Sequence, residues 1–197
     1  MNERRRWGMT ILAGLMLGTI LGICGGDGLH AQDLSMDIRL NRVEAGDELD
    51  RRYDDTWGGS IGLTYMFSDY VGVETAVNYL KWMPSGDDAD LGIIDWTIDG
   101  VIAFPFLDRF RVYGFAGMGL YVWKIDRCWW ISDGPEDGAD LGINWGLGLD
   151  AHIWRDIDLS VSYRRHRVEF EDTDNRFCWS EISLGARFHF DPIIFRH

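Results

Sequence analysis

The sequence predicts an all-β chain, an eight-stranded antiparallel up-and-down transmembrane β-barrel. Three observations carry that expectation. Eight stretches of ten or more residues alternate apolar and polar side chains, the period of a strand with one apolar face. The connections between them alternate short and long. Ten Trp and 24 Gly against only 4 Pro favour strands and tight turns over helices.

Residues 1–31 are a separate object. "MNERRRWG" carries three arginines, the apolar run "MTILAGLMLGTILGIC" follows, and "LHA" offers a cleavage site at Ala31. This reads as a secretory signal peptide. A single membrane anchor competes with it, but the run is near the short limit for a helical span and the polar "GGDG" follows. A lipid anchor at Cys24 would want a small residue where Ile23 stands. Removing three arginines and two carboxylates with this segment moves the formal net charge from -13 to -14. An acidic chain of 197 residues suits one domain and has no bulk electrostatic reason to seek nucleic acid.

The strands follow in order. "LSMDIRLNRV" sets Leu34, Met36, Ile38 and Leu40 against Ser35, Asp37, Arg39 and Asn41. "WGGSIGLTYMF" places Trp57, Ile61, Leu63, Tyr65 and Phe67 on one side, and "SDY" turns the chain. "VGVETAVNYLKW" opposes Val71, Val73, Val77 and Tyr79 to Gly72, Glu74 and Asn78. "IIDWTIDGVIAF" does the same with Ile94, Trp96, Ile98, Ile102 and Phe104 against Asp95, Thr97 and Asp99, before a turn at "PFLDR". "FRVYGFAGMGLYVW" is a strand whose faces are ambiguous, because both are apolar or small. "LGINWGLGLDAHI" alternates Leu, Ile and Trp with Gly142, Asn144, Gly146, Gly148, Asp150 and His152. After "WRD", "IDLSVSYRRHRVEF" opposes Ile157, Leu159, Val161 and Tyr163 to Asp158, Ser160, Ser162, Arg164 and His166. "CWSEISLGARFHF" closes the series, with Ile182, Leu184, Ala186, Phe188 and Phe190 opposite Glu181, Ser183, Gly185, Arg187 and His189.

The length of the strands argues for a membrane. A soluble sandwich or a lipocalin-like barrel would use strands of about five or six residues, and these run to the roughly 9–11 that cross a bilayer at a tilt. The faces opposite the apolar ones carry Asp37, Arg39, Glu74, Asp95, Asp99, Asp150, Arg164, Glu181 and Arg187, which we expect to line the lumen. A closed barrel covers one face with hydrocarbon, pairs charges on the other and leaves no backbone edge. Aromatics band by strand end. Phe67, Tyr70, Phe104, Phe106, Phe110, Trp154, Phe188 and Phe190 fall near the short turns; Trp57, Tyr79, Trp82, Trp123, Trp129, Trp130 and Trp179 fall near the long loops. Two interfacial belts are the expectation. Both ends of the barrel chain then lie on the periplasmic, short-turn side, and "DPIIFRH" (191–197) is a short periplasmic tail, since Pro192 cannot extend a central strand.

The pairs "SIGLTYMFSDYVGVETAVNYL" and "RFRVYGFAGMGLYVW" resemble the paired strands of small outer-membrane barrel proteins, the OmpW-like and OmpA-transmembrane-like families of Gram-negative-type envelopes. "SLGARFHF" resembles their C-terminal signal for the barrel assembly machinery, through Ser183, Gly185, Phe188 and Phe190. The resemblance covers residues 32–190 as a pattern and implies an outer-membrane location. It also implies a structural or surface-binding role or, alternatively, an OmpW-like narrow channel for small or hydrophobic solutes.

The expected chemistry is non-enzymatic. A lipid-modifying enzyme, such as a lipid A deacylase or acyltransferase, would draw on His152, His166, Ser160, Ser162, Asp150 and Glu169. However, Ser162 and His166 stand roughly 13 Å apart along one strand, and His166 is not followed by the His-x-Ser of deacylase-like barrels. An eight-stranded lumen is just filled by side chains, so a cross-paired plug is expected; the inward glycines 142, 146 and 148 either leave space or make room for rings of the fifth strand. The acidic loops "GDELDRRYDD", "SGDDAD", "SDGPEDGAD" and "EDTD" match no EF-hand spacing and read as solvated, with no metal or cofactor implied. Arg165 and Arg167 sit on the outward face at the outer end of the seventh strand, a position for lipopolysaccharide phosphates. Cys128 and Cys178 share the long-loop end of a chain exported to an oxidising compartment, and topology allows a bridge between them. The barrel is expected to be monomeric.

Overall fold

The structure is a computed structural model that describes residues 33–46, 54–82, 90–107, 109–126, 137–169 and 176–190. Eight strands follow in chain order: β1 (Asp33–Gly46), β2 (Thr56–Met66), β3 (Val71–Trp82), β4 (Asp90–Phe106), β5 (Phe110–Asp126), β6 (Asp137–Trp154), β7 (Ile157–Glu169) and β8 (Arg176–Phe190). Each pairs antiparallel with its neighbour in sequence, and β1 pairs with β8 to close the barrel. The residues expected to form the signal peptide and the tail, and most of those in the acidic loops, lie outside the described residues; the third acidic loop is shorter than expected, because Asp137–Asp140 belong to β6, where Asp140 accepts from Trp123 Nε1 at 2.7 Å.

Alternation sets the two faces. Along β3, β7 and β4 as far as Ala103, every second residue is buried in the lumen and the ones between are exposed or half-buried. The outward face is the apolar one: Leu40, Ile61, Ile94, Ile102, Leu147 and Leu184 are all exposed. On the opposite face Asp37, Glu74, Asp95, Asp99, Asp150 and Arg164 are buried. The outward polar groups of β3 and β4 satisfy one another, with Trp96 Nε1 donating to Thr75 Oγ1 at 2.6 Å and Thr75 Oγ1 to the Thr97 carbonyl at 3.1 Å.

Two turn details explain the short-turn end. Ser68 Oγ accepts the backbone N–H groups of Tyr70 and Val71, tying the β2–β3 turn. The expected turn at 105–109 is shorter than the sequence suggests, because Pro105 remains in β4 opposite Arg111. Ala103 N–H, two residues earlier, donates to the Tyr70 carbonyl. Pro105 therefore points its nitrogen to the side where β3 has already ended, and its missing donor costs nothing there. Leu107 then takes the left-handed backbone conformation at φ 56°, which reverses the chain.

Candidate functional site

The lumen is organised around one carboxylate. Arg39 of β1 grips Glu74 of β3 with both terminal nitrogens, at 3.0 and 2.8 Å. Arg164 of β7 donates to Glu74 Oε1 at 2.9 Å, and Arg187 of β8 reaches Oε2 at 3.4 Å. Thr64 Oγ1 donates to it as well, at 3.2 Å. Each arginine also has a carboxylate of its own: Asp37 for Arg39 at 2.7 Å, Asp99 for Arg164 at 2.7 Å and Asp150 for Arg187 at 2.6 Å. Arg164 further donates to Thr97 and Asn144. Charges removed from water this completely hold only when opposite charges and hydrogen bonds replace the lost hydration.

Rings from β5 complete the clamp. Tyr113, Phe115 and Trp123 stand directly opposite Gly148, Gly146 and Gly138 of β6. A side chain at any of these three glycines would collide with the ring facing it. The bare β6 surface lets the rings lie across it, which settles the ambiguous faces of the fifth strand. Phe115 then presents its face to the Arg164 guanidinium at 4.3 Å, and Tyr113 to that of Arg187 at 5.1 Å. Both arginines are thus held by a carboxylate cluster and an aromatic π-face.

The long-loop end of the lumen is filled by rings and aliphatic groups. Val43, Leu80, Trp82, Leu91, Ile93, Tyr121, Trp123, Val168 and Trp179 form one buried cluster. This corrects the expected outer aromatic belt. Trp57 and Tyr79 are exposed, whereas Trp82, Trp123 and Trp179 face inward; Trp129 and Trp130 lie outside the described residues. The reason is strand parity: Trp82 is in phase with Glu74 and Asn78, and Trp179 with Glu181. Polar groups sit beneath the cap. His166 Nδ1 and the Tyr121 hydroxyl share a hydrogen bond at 2.8 Å, and Trp179 Nε1 donates to Glu181 at 3.1 Å. Asn78 donates to Asp95.

Toward the short turns, Met66, Val101, Ala103, Tyr113 and Phe115 form a second apolar cluster. The rim beyond it is ionic. His189 of β8 places Nδ1 2.9 Å from Asp33 of β1 and Nε2 2.8 Å from Asp158 of β7. His152 Nδ1 is 2.9 Å from the other Asp158 oxygen, and Arg111 reaches Asp150 at 2.9 Å. The aromatic belt at this end is present on the outside, with Tyr70, Phe104, Phe106 and Trp154 exposed.

All nine residues expected in the lumen are buried there, and seven of them belong to the Glu74 network; Asp95 and Glu181 belong to the layer above. Ser183 and Arg187 face the lumen, a Cβ on Gly185 would collide with Arg39, and Phe188 shares the outward parity of Ile182 and Leu184. Arg165 and Arg167 lie outward. Cys178 is a half-buried free thiol on the outward parity of β8, and Cys128 lies outside the described residues, as does the expected pairing of the two. Among the enzyme candidates, Ser160 bonds the Tyr113 hydroxyl at 3.1 Å and the two histidines are engaged elsewhere. Among the described residues no group of three or more His, Cys, Asp or Glu is arranged to hold a metal. Thr97, Asn144 and His189 lie on the polar faces read from the sequence but were not among the residues expected to carry the lumen's charge pairing, and Arg111 stands on the fifth strand, whose faces the sequence left ambiguous.

The model of the family described as outer membrane protein beta-barrel domain matches residues 28–190. No curated protein matches the sequence. Among solved structures the chain is similar to Neisserial surface protein A, at 15% identity over 80% of this chain and 97% of that one, with a TM-score of 0.62. It is similar to the N-terminal β-barrel domain of OprF from Pseudomonas aeruginosa, at 21% identity over 81% and 98%, TM-score 0.53. It is also similar to Ail, the attachment invasion locus protein of Yersinia pestis, in complex with the heparin analogue sucrose octasulfate, at 18% identity over 80% and 97%, TM-score 0.53. At these identities the likeness is one of fold.

Proposed function

Because the chain belongs to the outer membrane protein beta-barrel domain family, we propose that it is an exported outer-membrane protein with a structural or surface-binding role in the cell envelope and a lumen closed to solutes. The observation that carries this reading is the Glu74 clamp. Three arginines from three strands meet one carboxylate, and apolar clusters lie on either side of it. An eight-stranded barrel has just enough interior for its own side chains, and these side chains interlock. Residues 1–31 serve as the cleaved export signal in this reading. The last strand is the segment that the assembly machinery receives. No catalytic step is assigned to the chain.

One observation favours a second reading, an OmpW-like narrow channel for small or hydrophobic solutes. Among the described residues, seven buried carboxylates face three buried arginines, so any path through the lumen prefers cations. Planar-bilayer recording of the full chain separates the two. A closed lumen gives a flat trace; repeatable single-channel steps overturn the closed reading and install the channel, with cation preference expected in the reversal potential.

A further inference from the structure

The cations on the outward face near the long-loop end are not equivalent. Arg42 pairs with Asp55 at 3.1 Å, Lys81 with Asp90 at 2.7 Å and Arg167 with Glu169 at 3.2 Å. Arg165 is exposed and faces no carboxylate among the described residues. In the register it stands directly opposite Trp145 of β6 on one side and Ser180 of β8 on the other. On the same outward face the hydroxyls of Ser180 and Tyr163 are joined at 3.0 Å. In such a pair one hydroxyl donates, and the other keeps its proton for an outside acceptor.

Depth makes Arg165 informative. Arg165 is eight residues along β7 from Ile157, a climb of about 20 Å through an apolar band about 25 Å tall. The neighbouring strand is still apolar at this level: Ile143, opposite Arg167, is 52% exposed, and Leu141, farther out, is 69% exposed. A guanidinium bordering hydrocarbon in this way is costly unless an anion meets it. The chain itself is acidic, with a formal charge of -13, so a basic outward patch is against its general balance. Glu44, opposite Ser180 on β1, and Glu169 bound the patch and limit it to about one anionic group.

We propose that Arg165, with Arg167 and the Tyr163–Ser180 hydroxyl pair, binds a phosphate of an outer-leaflet glycolipid of the lipid A type, whose acyl chains run toward the short-turn end along the exposed side chains of Trp145, Leu147 and Leu149. The planar fork of Arg165 matches two phosphate oxygens, and a free hydroxyl supplies a further donor. The site rests on the outer-membrane placement and is independent of whether the lumen conducts.

The test uses the folded full chain in detergent micelles, with heat-modifiable gel migration as the readout. Bis-phosphorylated lipid A raises the unfolding midpoint of the wild type; dephosphorylated lipid A, phosphatidylglycerol and inorganic phosphate at the same concentration do not. Arg165→Gln weakens the lipid A titration by roughly tenfold or more, on the scale of a lost charge-assisted bidentate contact. Arg165→Leu, which suits the lipid face, does the same, and Lys81→Gln on the far side leaves it unchanged. Equal shifts with dephosphorylated lipid A, phosphatidylglycerol or free phosphate overturn the assignment, and so does a wild-type titration from both folded Arg165 variants. Single-channel steps would sink the closed lumen and leave this site standing.

Discussion

Trp179 of β8 stacks flat on His166 of β7, with ring centroids 4.7 Å apart and planes 10° from parallel. Trp82 and Tyr121 meet the same indole edge-on. Trp179 is therefore the hub of the outer lumen cap. Trp179→Ala is expected to destabilise the barrel by about 3–5 kcal/mol, the range for deleting a buried large ring. Trp57→Ala, at a residue 62% exposed to the membrane side, is expected to change stability far less. Urea unfolding in lipid vesicles, followed by tryptophan fluorescence, compares the two. Equal losses would show that Trp179 behaves as a belt residue after all.

Glu74 neutralises arginines from three different strands. Glu74→Gln keeps the shape and removes the charge, leaving Arg39, Arg164 and Arg187 crowded around a neutral amide. Removing one member of a buried charge network costs about 3–5 kcal/mol. The expected outcome is a clear fall in the urea midpoint, with the barrel still formed by far-ultraviolet circular dichroism. A midpoint within error of the wild type would mean that Asp37, Asp99 and Asp150 suffice for the three arginines.

The glycines of the barrel should divide by face. Gly146→Val drives its new side chain into Phe115, which in turn supports Arg164. Overpacking of this kind costs typically about 1–3 kcal/mol. Gly100 faces outward, and a Cβ there would find its nearest neighbour, the Ala116 carbonyl, at 3.9 Å. Gly100→Val is therefore expected to be neutral or slightly stabilising. Thermal midpoints of the two variants in one detergent check the contrast, and equal behaviour would refute the ring-on-glycine packing.

Strand number, order and face were legible in the sequence because alternation is a local signal. In Val71–Trp82, Glu74 and Asn78 against Val73, Val77 and Tyr79 carry it, and the boundaries of β3 are those the pattern suggests. Where both faces are apolar or small, as in Phe110–Asp126, period two carries no sign. Only the partner strand, with its glycines opposite Tyr113 and Phe115, decides which way the rings point. The misplaced tryptophans have another cause. Banding by strand end groups Trp57 with Trp82, yet Trp57 stands an odd number of positions from Ser60 whereas Trp82 stands an even number from Asn78. Counting parity from the buried polar residues Ser60 and Asn78 puts the first in lipid and the second in the lumen. The partners within the lumen were illegible for a different reason. Arg39 and Glu74 lie 35 residues apart, and Arg187 and Glu74 lie 113 apart, and nothing local encodes such pairings.

Those separations bear on the order of assembly. The carboxylate of the clamp sits on β3, while its arginines arrive from β1, β7 and β8. In an open sheet, β3 and β7 are far apart and each charge keeps its water. Arg164 and Arg187 reach Glu74 only when β8 meets β1, and His189 then ties Asp33 to Asp158 across that same join. Sealing the seam and drying the interior are thus a single event. A half-closed sheet gains neither, so the chain has little to hold it at any stage between the open sheet and the finished barrel.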